Sequence, residues 1–260
     1  MADDVQMEIS ELRPNIYQFR CEKPGSHVYL VKGTKKNVLI DTGTTAFFPH
    51  LRTFLRELSL ALKDIHFVIL THEHFDHIGA TTFFFNTATI AAHRLAANKI
   101  EMQDEFVTMM NYSNISYKPF HADIWLEDQS LIDLGNFKLQ TLHTPGHTSG
   151  CICLYEAREK MLFSGDTVFA GGILSGISSS GNISDYMYSL QRLSTLKVEH
   201  LYPGHGKTSD DPEGDILLGL ETARSLMDDT KTIFDALTRK WNRQEMVDRV
   251  LRRFSTSKDK

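Results

Sequence analysis

Four short signatures constrain this chain more than any other feature: THEHFDH at Thr71 to His77, HTPGHTSG at His143 to Gly150, SGDT at Ser164 to Thr167 and PGHG at Pro203 to Gly206. Imidazole and carboxylate are donors that borderline divalent cations accept, and no single stretch of backbone can surround two such ions. A fold that uses these residues must therefore bring separate loops together. Crowding three imidazoles and a carboxylate between His72 and His77 offers nothing to an apolar core, so the cluster points to metal chemistry. The remaining histidines (His27, His50, His66, His93, His121, His143 and His200) are read as surface or packing residues, with His143 ending a strand.

The local pattern supports such convergence. Asn15 to Arg20, His27 to Lys32 and Asn37 to Ile40 read as short strands separated by turn-prone stretches. Phe48, Leu51, Phe54, Leu55 and Leu58 recur at helical spacing, and His66 to Leu70 is a short apolar run. Later runs at Thr87 to His93, Phe137 to Leu142, Cys151 to Tyr155, Met161 to Phe163 and His200 to Tyr202 are also strand-like. Each signature starts near the end of such a strand, where the sheet holds the ligand and its outer side stays open.

Within the first signature, His72 and His74 project the same way from extended backbone, while Asp76 and His77 diverge after the chain turns. The spacing assigns His72, His74 and His147 to one cation and Asp76, His77 and His205 to a second. Asp166, whose carboxylate has two oxygens, is shared between them. Zinc suits this donor set first, and iron or manganese also accept it.

Composition narrows the class. With 260 residues and 41% hydrophobic content the chain can bury a large core. A net charge of -5 argues against a general nucleic-acid binder, which needs clustered Lys and Arg. The start of the chain shows no secretory leader, and no apolar run reaches membrane-spanning length, so a cytoplasmic protein without a membrane partner is expected. Three cysteines, Cys21, Cys151 and Cys153, are too few and too odd for a disulfide framework and read as buried thiols.

In order and spacing, the four signatures resemble those of the metallo-β-lactamase fold superfamily across roughly residues 10 to 210. The resemblance implies an α/β fold, an αββα four-layer sandwich with metals at one edge. It leaves residues 211–260 as a helical C-terminal extension packed on the same domain. It also implies that Asp41, in Asp41-Thr42-Gly43, orients the first histidine loop from behind the ligands. The glyoxalase II-like thioesterases and the lactonases match best in pattern, which implies hydrolysis of a small acyl substrate: a thioester, an ester or a lactone. The match to lactonases departs at Phe169, where a substrate-positioning tyrosine is usual. Two other readings of the same fold stay open: a mononuclear iron persulfide dioxygenase and a non-catalytic ligand-binding regulator.

Two dications outweigh two carboxylates, so the site is expected to generate a bridging hydroxide as nucleophile, with a metal-polarised carbonyl and Asp76 relaying a proton. Substrate specificity is assigned to two segments, each with a plainer alternative. Met102 to His121 is a methionine- and aromatic-rich pocket lining or a packed helix; Gly171 to Ile183 is a mobile rim or a solvated connector. Met187, Leu190 and Leu193 are read as the core face of a helix over Asp185 to Leu196. Ile216 to Leu237 reads as one long amphipathic helix that packs on the sandwich or forms a homodimer contact, and Asn242 caps a second helix ending near Phe254. The basic cluster from Arg249 to Lys260 is read as a solvated end.

Overall fold

The computed structural model describes residues 7–21, 24–110 and 119–239. The second tail helix from Asn242, the basic cluster and residues 111–118 of the methionine-rich segment lie outside them. Among the described residues, twelve strands form two sheets. The first contains β1 (Met7–Arg13), β2 (Ile16–Cys21), β3 (Val28–Lys32), β4 (Asn37–Ile40), β5 (Phe67–Leu70), β6 (Thr89–His93) and β7 (Ile124–Leu126), in that spatial order. Its first four strands are antiparallel and its last four parallel. The second contains β8 (Leu131–Asp133), β9 (Lys138–His143), β10 (Ile152–Glu156), β11 (Met161–Gly165) and β12 (His200–Pro203), with only β11 and β12 parallel.

Strand alternation builds the layers. In β3 and β4, Tyr29, Val31, Val38 and Ile40 point inward and meet Ile152, Leu154, Met161 and Phe163 of the second sheet. Their neighbours Val28, Leu30 and Leu39 point outward against Phe48, Leu51 and Leu55 of α1 (Phe48–Glu57). Because both faces are covered, these strands read as near-continuous apolar runs. Helix α1 begins with a proline in its first turn, where the missing N–H costs nothing, and buries its i, i+3, i+7 stripe. Ala96, Ala97 and Ile100 of α3 (Arg94–Glu101) cover the same face. A one-turn helix, α2 (Phe75–Ile78), precedes α3 in the chain and carries Asp76 and His77.

On the far side, Cys153, Tyr155, Leu162 and Leu201 pack against Tyr186, Leu190 and Leu193 of α4 (Ile183–Leu193). Ile216, Leu220 and Ala223 of α5 (Pro212–Arg239) join that cluster, and Met187 is partly buried beside it. The result is the α/β four-layer sandwich that the signatures imply. No helix among the described residues is long and apolar enough to cross a membrane. All three cysteines are buried and free, and burial pushes the Cys21 thiol up to about 12 and that of Cys153 up to about 11.

Topology places the signatures together. Asp41 follows β4, the first histidine loop follows β5, Asp166 follows β11 and His205 lies two residues beyond β12, all at the carboxyl ends of parallel strands. His147 sits in the turn between β9 and β10. Backbone bonds stitch the two sheets at this edge: Ile152 N donates to Thr71 O at 2.9 Å and His27 N to Gly204 O at 2.7 Å.

Candidate metal centre

Seven side chains converge at the sheet ends, and they fall into three overlapping groups: His72, His74 and His147; His72, His77 and Asp166; Asp76, His77 and His205. Within each group one potential ligand atom per residue lies within 4.8 Å of the others. In the first, Nδ1 of His74 lies 3.1 Å from Nε2 of His72 and 3.0 Å from Nε2 of His147. In the third, Nε2 of His205 lies 3.2 Å from Oδ2 of Asp76 and 3.3 Å from Nε2 of His77. Asp166 lies between these groups: Oδ1 is 3.3 Å from His77 Nε2, while Oδ2 is 3.6 Å from His205 Nε2 and 3.8 Å from His147 Nε2.

The donor set fits divalent cations on one further observation. Oδ1 of Asp166 is buried and accepts no hydrogen bond. Its nearest donor-capable neighbour, His77 Nε2 at 3.3 Å, pairs with it by charge but makes no well-formed hydrogen bond, and a cation shared with the facing imidazoles satisfies the oxygen better. Burial opposes the charge of Asp166, yet His77, His205 and His72 hold it well below the usual carboxylate range. Burial and the neighbouring His77 and His74 hold His72 well below its ordinary value; burial and His147 take His74 down to about 3. Both are therefore neutral at physiological pH, the form in which imidazole ligates metal.

The backbone explains the glycines. A Cβ on Gly204 would lie 2.8 Å from His77 Cε1 and would also press on Asp166, so the chain approaches the carboxylate only without a side chain. Gly206 has open space around it but a φ of +80°, so its role is conformational rather than one of close approach. Asp41 adopts a φ of +60°. Its Oδ1 accepts from Thr71 N at 2.7 Å, and its Oδ2 accepts from Thr71 Oγ1 at 2.7 Å and from His77 Nδ1 at 2.8 Å.

The glycine- and serine-rich stretch after Asp166, expected as a mobile rim or a solvated connector, runs beside the site and is hydrogen-bonded to its histidines. Ser178 N donates to His147 O at 2.8 Å, Ser178 Oγ lies 3.1 Å from His74 Nε2, and His147 Nδ1 bonds Gly176 O. Ser175 N donates to Tyr186 OH at 3.1 Å, and that hydroxyl donates to Thr167 O at 2.7 Å. The loop thus fixes the outward nitrogens of two histidines, an arrangement that sets tautomer and ring orientation. Sequence reading missed this because the partners lie far apart in the chain.

Two histidines assigned to surface or packing are buried and bonded here. His27 Nδ1 accepts from Cys21 N at 3.2 Å, so its Nε2 carries the proton and donates to Gly206 O at 2.6 Å, bracing the loop of His205. His93 stacks on His143 with ring centroids 3.8 Å apart. Burial lowers His27 to about 4, and burial with the adjacent His143 lowers His93 to about 4. Both are depressed below the ordinary 6.5, so the stability they contribute is complete above that pH and is lost as pH falls towards about 4. The melting temperature of the cation-free protein is accordingly expected to fall across this window, and His93→Gln to flatten the slope. Parallel profiles for parent and variant in a pH-resolved thermal melt would contradict this.

A cleft of about 320 Å³ opens beside His74 and His147. It is lined by Phe106, Met109, Gly176, Ile177, Ser178 and Ser179. Both segments expected to govern specificity therefore border the site; of the first, residues 102–109 do so as turns.

Comparison with known proteins agrees with this geometry. Residues 23–205 match the model of the metallo-beta-lactamase superfamily. The human acyl-coenzyme A thioesterase MBLAC2 is 30% identical over 211 residues, covering 70% of this chain and 74% of that one. A probable metallo-hydrolase of Methanocaldococcus jannaschii is 33% identical over 192 residues, 71% of this chain and 89% of the relative. Among solved structures, a metallo-beta-lactamase family protein from Thermus thermophilus superposes with a TM-score of 0.67 at 23% identity, covering 89% of this chain and 84% of that one. TTHA1623, solved in a di-iron-bound form, gives 0.63 at 27% identity, covering 78% and 95%.

Proposed function

The chain belongs to the metallo-β-lactamase superfamily, and we propose that it is a dinuclear metal-dependent hydrolase whose substrate is a small acyl thioester. The observation that carries this reading is the buried Oδ1 of Asp166, without a well-formed hydrogen bond and set among facing imidazoles. His72, His74 and His147 would hold one divalent ion and Asp76, His77 and His205 the other, with Asp166 shared and Asp41 behind His77. Zinc is the first choice; iron is the second, given the di-iron form of one structural relative. Ions of this kind supply Lewis acidity, lowering the pKa of water to about 7 and polarising a carbonyl.

The protein's own groups shape the rest. Burial opposes the charge of Asp76, but His77 and His205 draw its pKa down, so at neutral pH it is ionised and has no proton to supply to a leaving group. A leaving group that needs no protonation suits such a site. A thiolate is one, since its conjugate acid has a pKa of about 8.5. Phe106 and Ile177, both exposed at the cleft, offer apolar surface to an acyl group. A thioesterase among the relatives points the same way.

The lactone alternative fits less well. Phe169 stands 6.0 Å from the His205 ring without a hydroxyl, and the phenol of Tyr186 is occupied by Thr167 O and Ser175 N.

A panel of acyl-coenzyme A thioesters, aryl esters, lactones and phosphodiesters tests the reading with metal-loaded protein. Free thiol should appear with the thioesters at a rate above every other class, and His72→Ala should abolish it. Faster lactone or phosphodiester turnover, or oxygen uptake with persulfides, would overturn it.

A further inference from the structure

Glu73 sits between two histidines of the first signature and points away from them. The chain bends here just past the end of β5, and the partners of Glu73 show it turned away from the ligand side of His72 and His74. There it is fully buried, with 0% exposure. Lys99 Nζ donates to its Oε1 at 2.9 Å, Ser180 Oγ to the same oxygen at 3.2 Å, and Thr148 Oγ1 to its Oε2 at 2.9 Å. Lys99 also bonds Ser149. A Cβ on Gly150 would come within 2.5 Å of Oε2, so that glycine makes room for the carboxylate.

Two of these partners, Thr148 and Ser180, belong to segments that touch the histidine triad. Thr148 follows His147 directly. Ser180 lies two residues beyond Ser178, which contacts His74 through its hydroxyl and His147 through its backbone. Lys99 lies on α3 and fastens the carboxylate to the helical layer. We propose that Glu73 is a positioning residue: its carboxylate joins the first histidine loop, the His147 turn and the serine-rich loop at one point, and so sets the spacing of the triad of His72, His74 and His147. An ion pair with one fully buried partner is a poor source of stability in itself, because desolvation offsets the attraction. Its contribution here is geometric.

The inference rests on the cation reading of the triad, and cobalt binding separates the two. Parent, Glu73→Gln, Lys99→Met and Thr148→Val proteins are titrated with Co(II) against a chromogenic chelator, with visible absorption spectra and metal-free melting curves recorded alongside. If Glu73 positions the triad, Glu73→Gln and Lys99→Met both weaken cobalt affinity by about 10- to 100-fold and alter the ligand-field bands. Thr148→Val, which removes one contact and leaves the ion pair, weakens it less but in the same direction. A field effect alone would move the first two in opposite directions, since one leaves an uncompensated positive charge and the other a negative one. That result would overturn the proposal, as would lower melting temperatures with parent-like affinity and spectra. Failure of the parent itself to bind cobalt would overturn the cation reading as well.

Discussion

Asp166→Asn is expected to lower turnover by about 10²- to 10³-fold, the scale seen when a preorganised electrostatic contact to the reacting centre is removed. The substitution keeps the shape of the side chain and removes its charge. Asp166 is 6% exposed, and its two oxygens face His77, His205 and His147. An asparagine keeps one ligating oxygen but turns an NH2 group to the other side, where it cannot bind a cation. Oδ1 makes no well-formed hydrogen bond, and His77, its nearest partner at 3.3 Å, stays held by Asp41 through Nδ1, so the fold should tolerate the change. The expected signature is therefore lost turnover with a near-parental melting temperature in the cation-free protein. Loss of folding and turnover together would make Asp166 a structural residue.

Asp41→Ala should act in the opposite proportion, costing stability first and the site second. Its carboxylate satisfies Thr71 N, Thr71 Oγ1 and His77 Nδ1, all buried. Leaving a buried donor unsatisfied costs about 1–3 kcal/mol, and alanine leaves more than one while occupying a φ of +60° that asparagine or aspartate tolerates better. Burial works against a charged His77, yet Asp166, Asp41 and Asp76 hold its pKa well above the ordinary value; removing Asp41 lets it fall. With the ring no longer pinned at Nδ1, cation affinity should drop by about 10- to 100-fold. Asp41→Asn, which can still accept from Thr71, should recover most of the stability and little of the affinity. Denaturant unfolding and metal competition, run on both variants, check this; equal behaviour of the two would contradict it.

Much of the architecture was legible because the sandwich buries both faces of its central strands. The expected strand from Asn37 to Ile40 has the bounds of β4, and the helix expected from Phe48 corresponds to α1. The strands that went unread, β1, β7 and β8, all lie at sheet edges, although the edge strand β12 was read. In β7, Ile124 and Trp125 are exposed, and in β8 Leu131 is exposed, so no buried face imposes an alternation that a sequence can display. Helix α3 was also unread, since its buried stripe is made largely of alanines.

The candidate ligands were legible for a different reason: their chemistry is dense and local. Their supports were not. Glu73, Ser178 and His27 take their meaning from partners tens of residues away or more, and each is individually an ordinary polar residue. His27 offered one signal in retrospect, since a histidine opening an apolar strand needs its nitrogens satisfied.

Elemental analysis of zinc-reconstituted protein, by mass spectrometry on desalted chains of known concentration, bears most directly on whether these side chains hold a pair of ions. The parent should retain about two equivalents per chain, and Asp166→Asn and His205→Ala about one or fewer. Less than one equivalent in the parent, or parental content in both variants, would contradict the account.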